Sequence, residues 1–335
     1  MLLPKLVGLE DAIAQTAEGD PLWLAVGVGF CVAMFAAYVA LFRGVIGDSG
    51  PDLQWREGYQ ITMAGLAATR LFSAGGAGGI VLTYWALRKA GMELRRAASR
   101  MVAFLVLLYV VYMVALVVFG VLLRTGVLAG DAPVGMTIVP AALAGVVMAL
   151  FAGIALIPKN LDARLGRISD GSSLGARLTR RLATVPATMG AGTRQALAFL
   201  RHPKRGGLAL IGAVGFWAAN IGILWACFEA YDVSVPPGVL VQGFFIGMVA
   251  NLIPFVPGGV GAVDAGMIGA FVLFGQPEAE TFAAILGYRL IAFWLPIPPG
   301  IVAYFQLRRT VNRWEQCGAA RTMMGPSWAS PPRLT

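Results

Sequence analysis

Of the 335 residues, 58% are apolar and only 13% charged, and the mean hydropathy is +0.75, which excludes an ordinary soluble domain and points to a multi-span membrane protein. The formal net charge of +9 lies between apolar runs rather than on one soluble face, so nucleic acid is excluded as a partner. Cys31, Cys227 and Cys317 are too scattered for a disulfide frame or a metal site, and neither metal nor cofactor is expected.

The chain opens with a segment, 1–21, in which Lys5 stands against Glu10, Asp11, Glu18 and Asp20, the wrong charge for a secretory signal. Apolar windows of the length needed to cross a bilayer then fall near 22–42, 101–123, 134–157, 208–229 and 281–306. Two further apolar regions, 58–90 and 238–276, are too long for one helix and are interrupted by glycine clusters. Each reads as a pair of half-length or re-entrant helices. The fold class is therefore all-α, a polytopic membrane helix bundle.

Charge assigns the sides. The connections 88–100 and 158–207 and the tail 307–335 are rich in Arg and Lys, whereas 124–133, 230–237 and 276–280 are acidic or nearly neutral. By the positive-inside rule the first three are cytoplasmic, the others outside, the N-terminus outside and the C-terminus inside. The tryptophans sit mostly near the interfaces expected from these spans, where belt packing is the default role, and Arg100 reads as an interfacial anchor.

The chain also repeats itself. Leu71-Phe-Ser-Ala-Gly-Gly-Ala-Gly-Gly79 aligns under Pro254-Phe-Val-Pro-Gly-Gly-Val-Gly-Ala262, bringing Gly75, Gly76 and Gly78 under Gly258, Gly259 and Gly261. Arg100-Met-Val-Ala-Phe104 likewise matches Arg289-Leu-Ile-Ala-Phe293. Repeat 1 spans about 22–123 and repeat 2 about 208–306, each a span, a glycine-broken hairpin and a second span, in opposite orientations. That is the pattern of inverted-topology repeats, whose broken helices meet at a substrate site near the midplane.

The stretch Asn251–Asp264 is the strongest candidate for such a site. Pro254 and Pro257 each remove an N–H and block a continuous helix, and the glycines after them allow close backbone approach. Irregular backbone at membrane depth is tolerated only where protein buries it or a watery cavity faces it. Arg70 precedes the first break, Asp264 follows the second, and Arg289 lies within the last span. Charges placed so deep face a cavity or a partner. One reading has Arg70 and Arg289 holding an anionic group with Asp264 as counter-ion, gate or proton site; the plainer one is a structural Asp264–Arg289 pair. Helix N-termini at the breaks also favour anions, and in a membrane the available phosphate carriers are phospholipid or polyprenyl-phosphate headgroups.

These motifs resemble the lysylphosphatidylglycerol synthase transmembrane domain family, also described as flippase-like integral membrane proteins. Pro254-Phe-Val-Pro-Gly-Gly-Val-Gly-Ala-Val-Asp264 looks like the family's Pro-Gly-Gly-x-Gly-x-x-Glu segment, with Asp264 in the acidic place. Gly287-Tyr288-Arg289-Leu290 looks like its Tyr-Arg-Leu, and Arg201-His-Pro-Lys204 like its basic stretch. The first glycine cluster departs from the family's charged pattern, with Ala74, Gly79 and Leu82 in those places. The resemblance implies a lipid-translocating domain over about 22–306 of the plasma membrane, acting on an anionic membrane lipid. The alternatives are an aminoacyl or glycosyl transferase acting on lipid, or an accessory or scaffold subunit of a lipid-modifying enzyme partner. About thirty residues follow Gln306, and no nucleotide-binding motif is present, so an enzyme is the less expected reading.

Overall fold

The computed structural model describes residues 19–47, 53–71, 77–130, 133–155, 174–249 and 261–323. They form helices without strands: α1 Pro21–Ile46, α2 Trp55–Leu71, α3 Ala77–Lys89, α4 Leu94–Arg124, α5 Val134–Ala155, α6 Leu174–Arg201, α7 Pro203–Ala230, α8 Pro237–Met248, α9 Ala262–Leu273, α10 Glu278–Arg289 and α11 Ile297–Met323, with a π-helical segment Leu290–Trp294 between the last two. Five stretches among the described residues are long and apolar enough to cross a membrane: Pro21–Ile46, Leu94–Arg124, Val134–Ala155, Gly206–Ala230 and Glu278–Gln316. The protein is a multi-pass helical bundle.

Local chemistry sets several helix ends. Asp20 caps α1 by accepting the Leu22 N–H at 2.8 Å, and Pro21 occupies the first turn, where a missing N–H costs nothing. Gly261, at φ +86°, starts α9 in a conformation that favours glycine, and Gly91 and Gly126, also left-handed, sit in the turns after α3 and α4.

The helices pack reciprocally. α1 and α7, the opening helices of the two halves, make the most extensive contact among the described helices, while α2 packs on α11 as α8 packs on α4. The same exchange relates α2–α3 to α8–α9, α3–α4 to α9–α10, and α1–α4 to α7–α10. A two-fold relation between the halves requires this pattern. Helices α5 and α6 stand outside it and pack mainly on α4. Val139, Leu143, Val146 and Leu150 leave one face of α5 exposed, as expected of a helix turned toward lipid.

Small residues bring the backbones together. A Cβ on Gly212 of α7 would stand 2.7 Å from the Ala37 carbonyl of α1, and one on Gly300 of α11 would stand 2.6 Å from the Ala67 Cβ of α2. Such seams replace the hydrophobic driving force that helices lose in lipid. Buried polar ties supplement them. Trp217 donates to the Leu108 carbonyl at 2.8 Å, Tyr112 to the Phe245 carbonyl at 2.5 Å, and Thr310 to Gln60 Oε1 at 2.9 Å.

Three sequence readings change here. Residues 174–201, read as part of a basic connection, form helix α6, which lies against α4, α5 and α7. Trp217 is not in an interfacial belt; it is 8% exposed and its indole N–H holds α7 to α4. Arg100 is no surface anchor either: it is 7% exposed, donates to the Val45 carbonyl and faces the Phe199 ring at 6.0 Å. Burial of so long a side chain is supported by carbonyl and ring partners on two neighbouring helices.

Candidate functional site

Arg70 and Arg289, and with the latter Asp264, meet beside the π-helical segment. Here the Leu295 N–H donates to the Leu290 carbonyl, five residues back, at 2.9 Å. The wider register redirects carbonyls that an α-helix would use internally, and such segments often mark functional places. Two carbonyls of the segment are taken by side chains from elsewhere. The Cys31 thiol of α1 approaches the Ile291 carbonyl at 3.4 Å, and the Arg70 guanidinium donates to the Phe293 carbonyl at 3.1 Å.

Phe293 also gathers the cations. The guanidinium carbon of Arg70 lies 5.5 Å from its ring centroid and that of Arg289 lies 5.2 Å away. Both distances fall in the range of cation–π attraction. One arginine comes from the end of α2, next to the first glycine break, and the other from the end of α10. The two halves of the chain thus deliver one guanidinium each to a single buried ring.

Asp264 supplies the counter-charge. Its Oδ1 accepts from Arg289 Nε at 2.6 Å and its Oδ2 accepts the Gly261 N–H at 2.9 Å. The carboxylate therefore closes the first turn of α9 and neutralises part of the dipole there. The pair is largely buried, with side-chain exposures of 9% for Arg289 and 18% for Asp264. Among the described residues, Arg70 has no carboxylate partner, so two guanidiniums share the ring and one carboxylate answers them.

Tyr288, one residue before Arg289, is buried and donates to Asn220 Oδ1 of α7 at 3.2 Å, while Asn220 Nδ2 donates to the Phe216 carbonyl at 2.9 Å. Of the sequence candidates, Arg70, Gly261, Asp264 and Arg289 join one cluster, and Tyr288 lies beside it. Gly78 does not belong to it; it lines an apolar groove between α2, α3 and α11. Gly75, Gly76, Asn251, Pro254, Pro257, Gly258 and Gly259 lie outside the described residues. Phe293, Cys31 and Asn220 were missed. Asn220 carried a sequence signal as a polar residue in an apolar span, and Phe293 as the last residue of the repeated Arg-x-x-Ala-Phe.

A separate cavity of about 230 Å³ is bounded by α1, α2, α3 and α4. Its lining carries the hydroxyls of Tyr38, Thr62, Thr69, Thr83 and Tyr109 among apolar side chains. Thr62 and Thr69 donate to carbonyls of their own helix, Gly58 at 2.8 Å and Gly65 at 3.0 Å.

Residues 1–300 match the family described as the lysylphosphatidylglycerol synthase TM region. Two proteins named UPF0104 membrane protein, both from Methanothermobacter thermautotrophicus, are 29% identical over 91 residues and 31% identical over 87. These matches cover 27% and 26% of this chain and 26% of each relative. A phosphatidylglycerol lysyltransferase of Staphylococcus aureus is 31% identical over 81 residues, which is 24% of this chain and 10% of that protein. The chain thus aligns with about a quarter or less of the length of these relatives. By the extent of the family match, the chain belongs to the lysylphosphatidylglycerol synthase TM region family.

Proposed function

We propose that this membrane protein moves an anionic lipid, a phospholipid or a polyprenyl-phosphate-type lipid, between leaflets of the plasma membrane. The observation that carries the reading is the convergence of Arg70 and Arg289 on Phe293, with the carboxylate of Asp264 paired to Arg289. Guanidiniums present planar forks that match phosphate oxygens. The reciprocal packing of the halves supports this reading, because alternating access places a central site between two similar bodies. In this reading the two repeats are inverted, the N-terminus is outside and the C-terminus cytoplasmic. Asp264 occupies Arg289 when the site is empty and yields it to the lipid phosphate. The test is reconstitution in liposomes with labelled phosphatidylglycerol and labelled polyprenyl phosphate, scoring exposure of the label to an impermeant quencher. Transfer well above empty liposomes for either lipid supports the reading; none for any anionic lipid counts against it.

A second reading has the chain as the membrane subunit of a lipid-modifying transferase. It is favoured by the similarity of 81 residues to a protein named phosphatidylglycerol lysyltransferase. Co-purification of such an enzyme, with no leaflet transfer by the chain alone, would select it.

A further inference from the structure

The two hairpins carry matching buried amides. Gln60 is the sixth residue of α2 and Gln242 the sixth of α8, and both are fully buried. Each lies where the first hairpin arm of one half packs on a helix of the other, α2 on α11 and α8 on α4. Gln60 Oε1 accepts from the Thr310 hydroxyl of α11 at 2.9 Å. Gln242 faces Gly120 of α4, where an added Cβ would stand 3.3 Å from its Nε2, and donates to the Met136 carbonyl of α5 at 2.9 Å. That carbonyl is free because the residue four places on is Pro140, which has no N–H to give it. Both amides are satisfied at one end only. Gln60 Nε2 and Gln242 Oε1 have no hydrogen-bond partner among the described residues.

We propose that Gln60 and Gln242 are the latches of two gates, one toward each membrane face, that part in turn as the halves exchange access to the central site. The proposal rests on the transport reading above, in which α2 starts at the cytoplasmic face and α8 at the outer one. The glutamines, about a turn and a half into their helices, then stand on opposite sides of the site. A buried polar atom without a partner weakens the state that buries it, and water satisfies it once the seam parts. An apolar side chain of the same shape would seal the seam, and so would a fully bonded amide. The half-satisfied amide holds each seam by one hydrogen bond and favours its opening with the other end. Its presence at matching places in both halves ties it to a motion they share, because the packing of either half alone does not call for the pair. Small residues flank both latches and let the helices separate without unlocking large side chains. Ala67 meets Gly300 in the inner seam, and Ala141 meets Gly120 in the outer one.

The test reads the opening of each seam directly. In full chains with Cys31, Cys227 and Cys317 replaced by Ser, Ala67→Cys reports on the inner seam and Ala141→Cys on the outer. An impermeant maleimide is applied to inverted membrane vesicles for the first and to intact cells for the second. Gln60→Met should slow labelling at the inner position several-fold while the melting temperature stays or rises; Gln60→Glu, whose charge demands water, should speed it. Gln242→Met is made together with Pro140→Ala, which returns an N–H to the Met136 carbonyl, and is compared with Pro140→Ala alone. It should slow labelling at the outer position. Lipid transfer should fall about tenfold in either methionine variant, since both gates serve each cycle. Labelling unchanged by methionine at both seams would overturn the proposal. A lower melting temperature with faster labelling in Gln60→Met would overturn it too, by making the amide a structural brace. Slowed labelling in a chain whose wild type transfers no lipid sinks the transport reading alone; wild-type transfer with labelling unchanged sinks the gates alone.

Discussion

Arg289 and Asp264 form a pair whose structural worth can be separated from its use. Removing one partner strands the other in a low-dielectric place, at a cost of about 3–5 kcal/mol, whereas removing both can be nearly neutral. Asp264→Leu should therefore lower thermal stability in detergent sharply, and adding Arg289→Leu should restore most of it. The restored double variant should be stable and inactive in lipid transfer; a stable, fully active one would reduce the pair to scaffolding. Arg289→Lys keeps the charge but loses the fork. A charge-assisted hydrogen bond is worth about 1.5–3 kcal/mol, and each 1.4 kcal/mol is tenfold. Transfer should accordingly fall by roughly one to two orders of magnitude with little change in folding. At this scale the sequence was half legible. Charged residues beside glycine breaks stood out because intramembrane charge is rare. Phe293 stood in the sequence only as the last residue of the repeated Arg-x-x-Ala-Phe, and nothing there marked it as the ring on which two arginines meet.

The hairpins, α2–α3 and α8–α9, and the reciprocal packing of their first arms were foreshadowed by the aligned glycine clusters and the interrupted apolar regions. The π-helical segment was not. Hydropathy reports which residues are apolar and says nothing of whether a turn holds 3.6 residues or one more, yet that extra residue turns the Phe293 carbonyl toward Arg70. Arg100 and α6 were misread for a related reason. A window average assigns a basic residue at the end of a span to the interface, although the packing of α4 on α6 covers it. The α2–α11 seam offers a test of element packing. Gly300→Leu drives a side chain into Ala67 and Met63, and overpacking of this kind costs about 1–3 kcal/mol. Melting in detergent should drop accordingly, whereas leucine at Gly29 of α1, with nothing within 4 Å of an added Cβ, should leave it unchanged.

For the whole molecule the account requires the two halves to cross the membrane in opposite senses. Single cysteines at Val127 and Asp232, on a background with Cys31, Cys227 and Cys317 replaced by Ser, should react with an impermeant maleimide on intact cells. A cysteine at Arg309 should react only after lysis. Labelling of Asp232 only after lysis would place α7 in the same sense as α1 and remove the inverted relation. The central claim is that arginines from the two halves jointly hold a lipid anion, and the variant that tests it most directly is Arg70→Gln. It sits in the half whose charged pattern departs from the family's, and Arg70 has no carboxylate partner among the described residues, so its loss leaves the Arg289–Asp264 pair intact. In liposomes carrying labelled anionic phospholipid, the account predicts leaflet transfer at least tenfold below the wild-type rate, with an unchanged melting profile. Wild-type transfer by well-folded Arg70→Gln protein would contradict it.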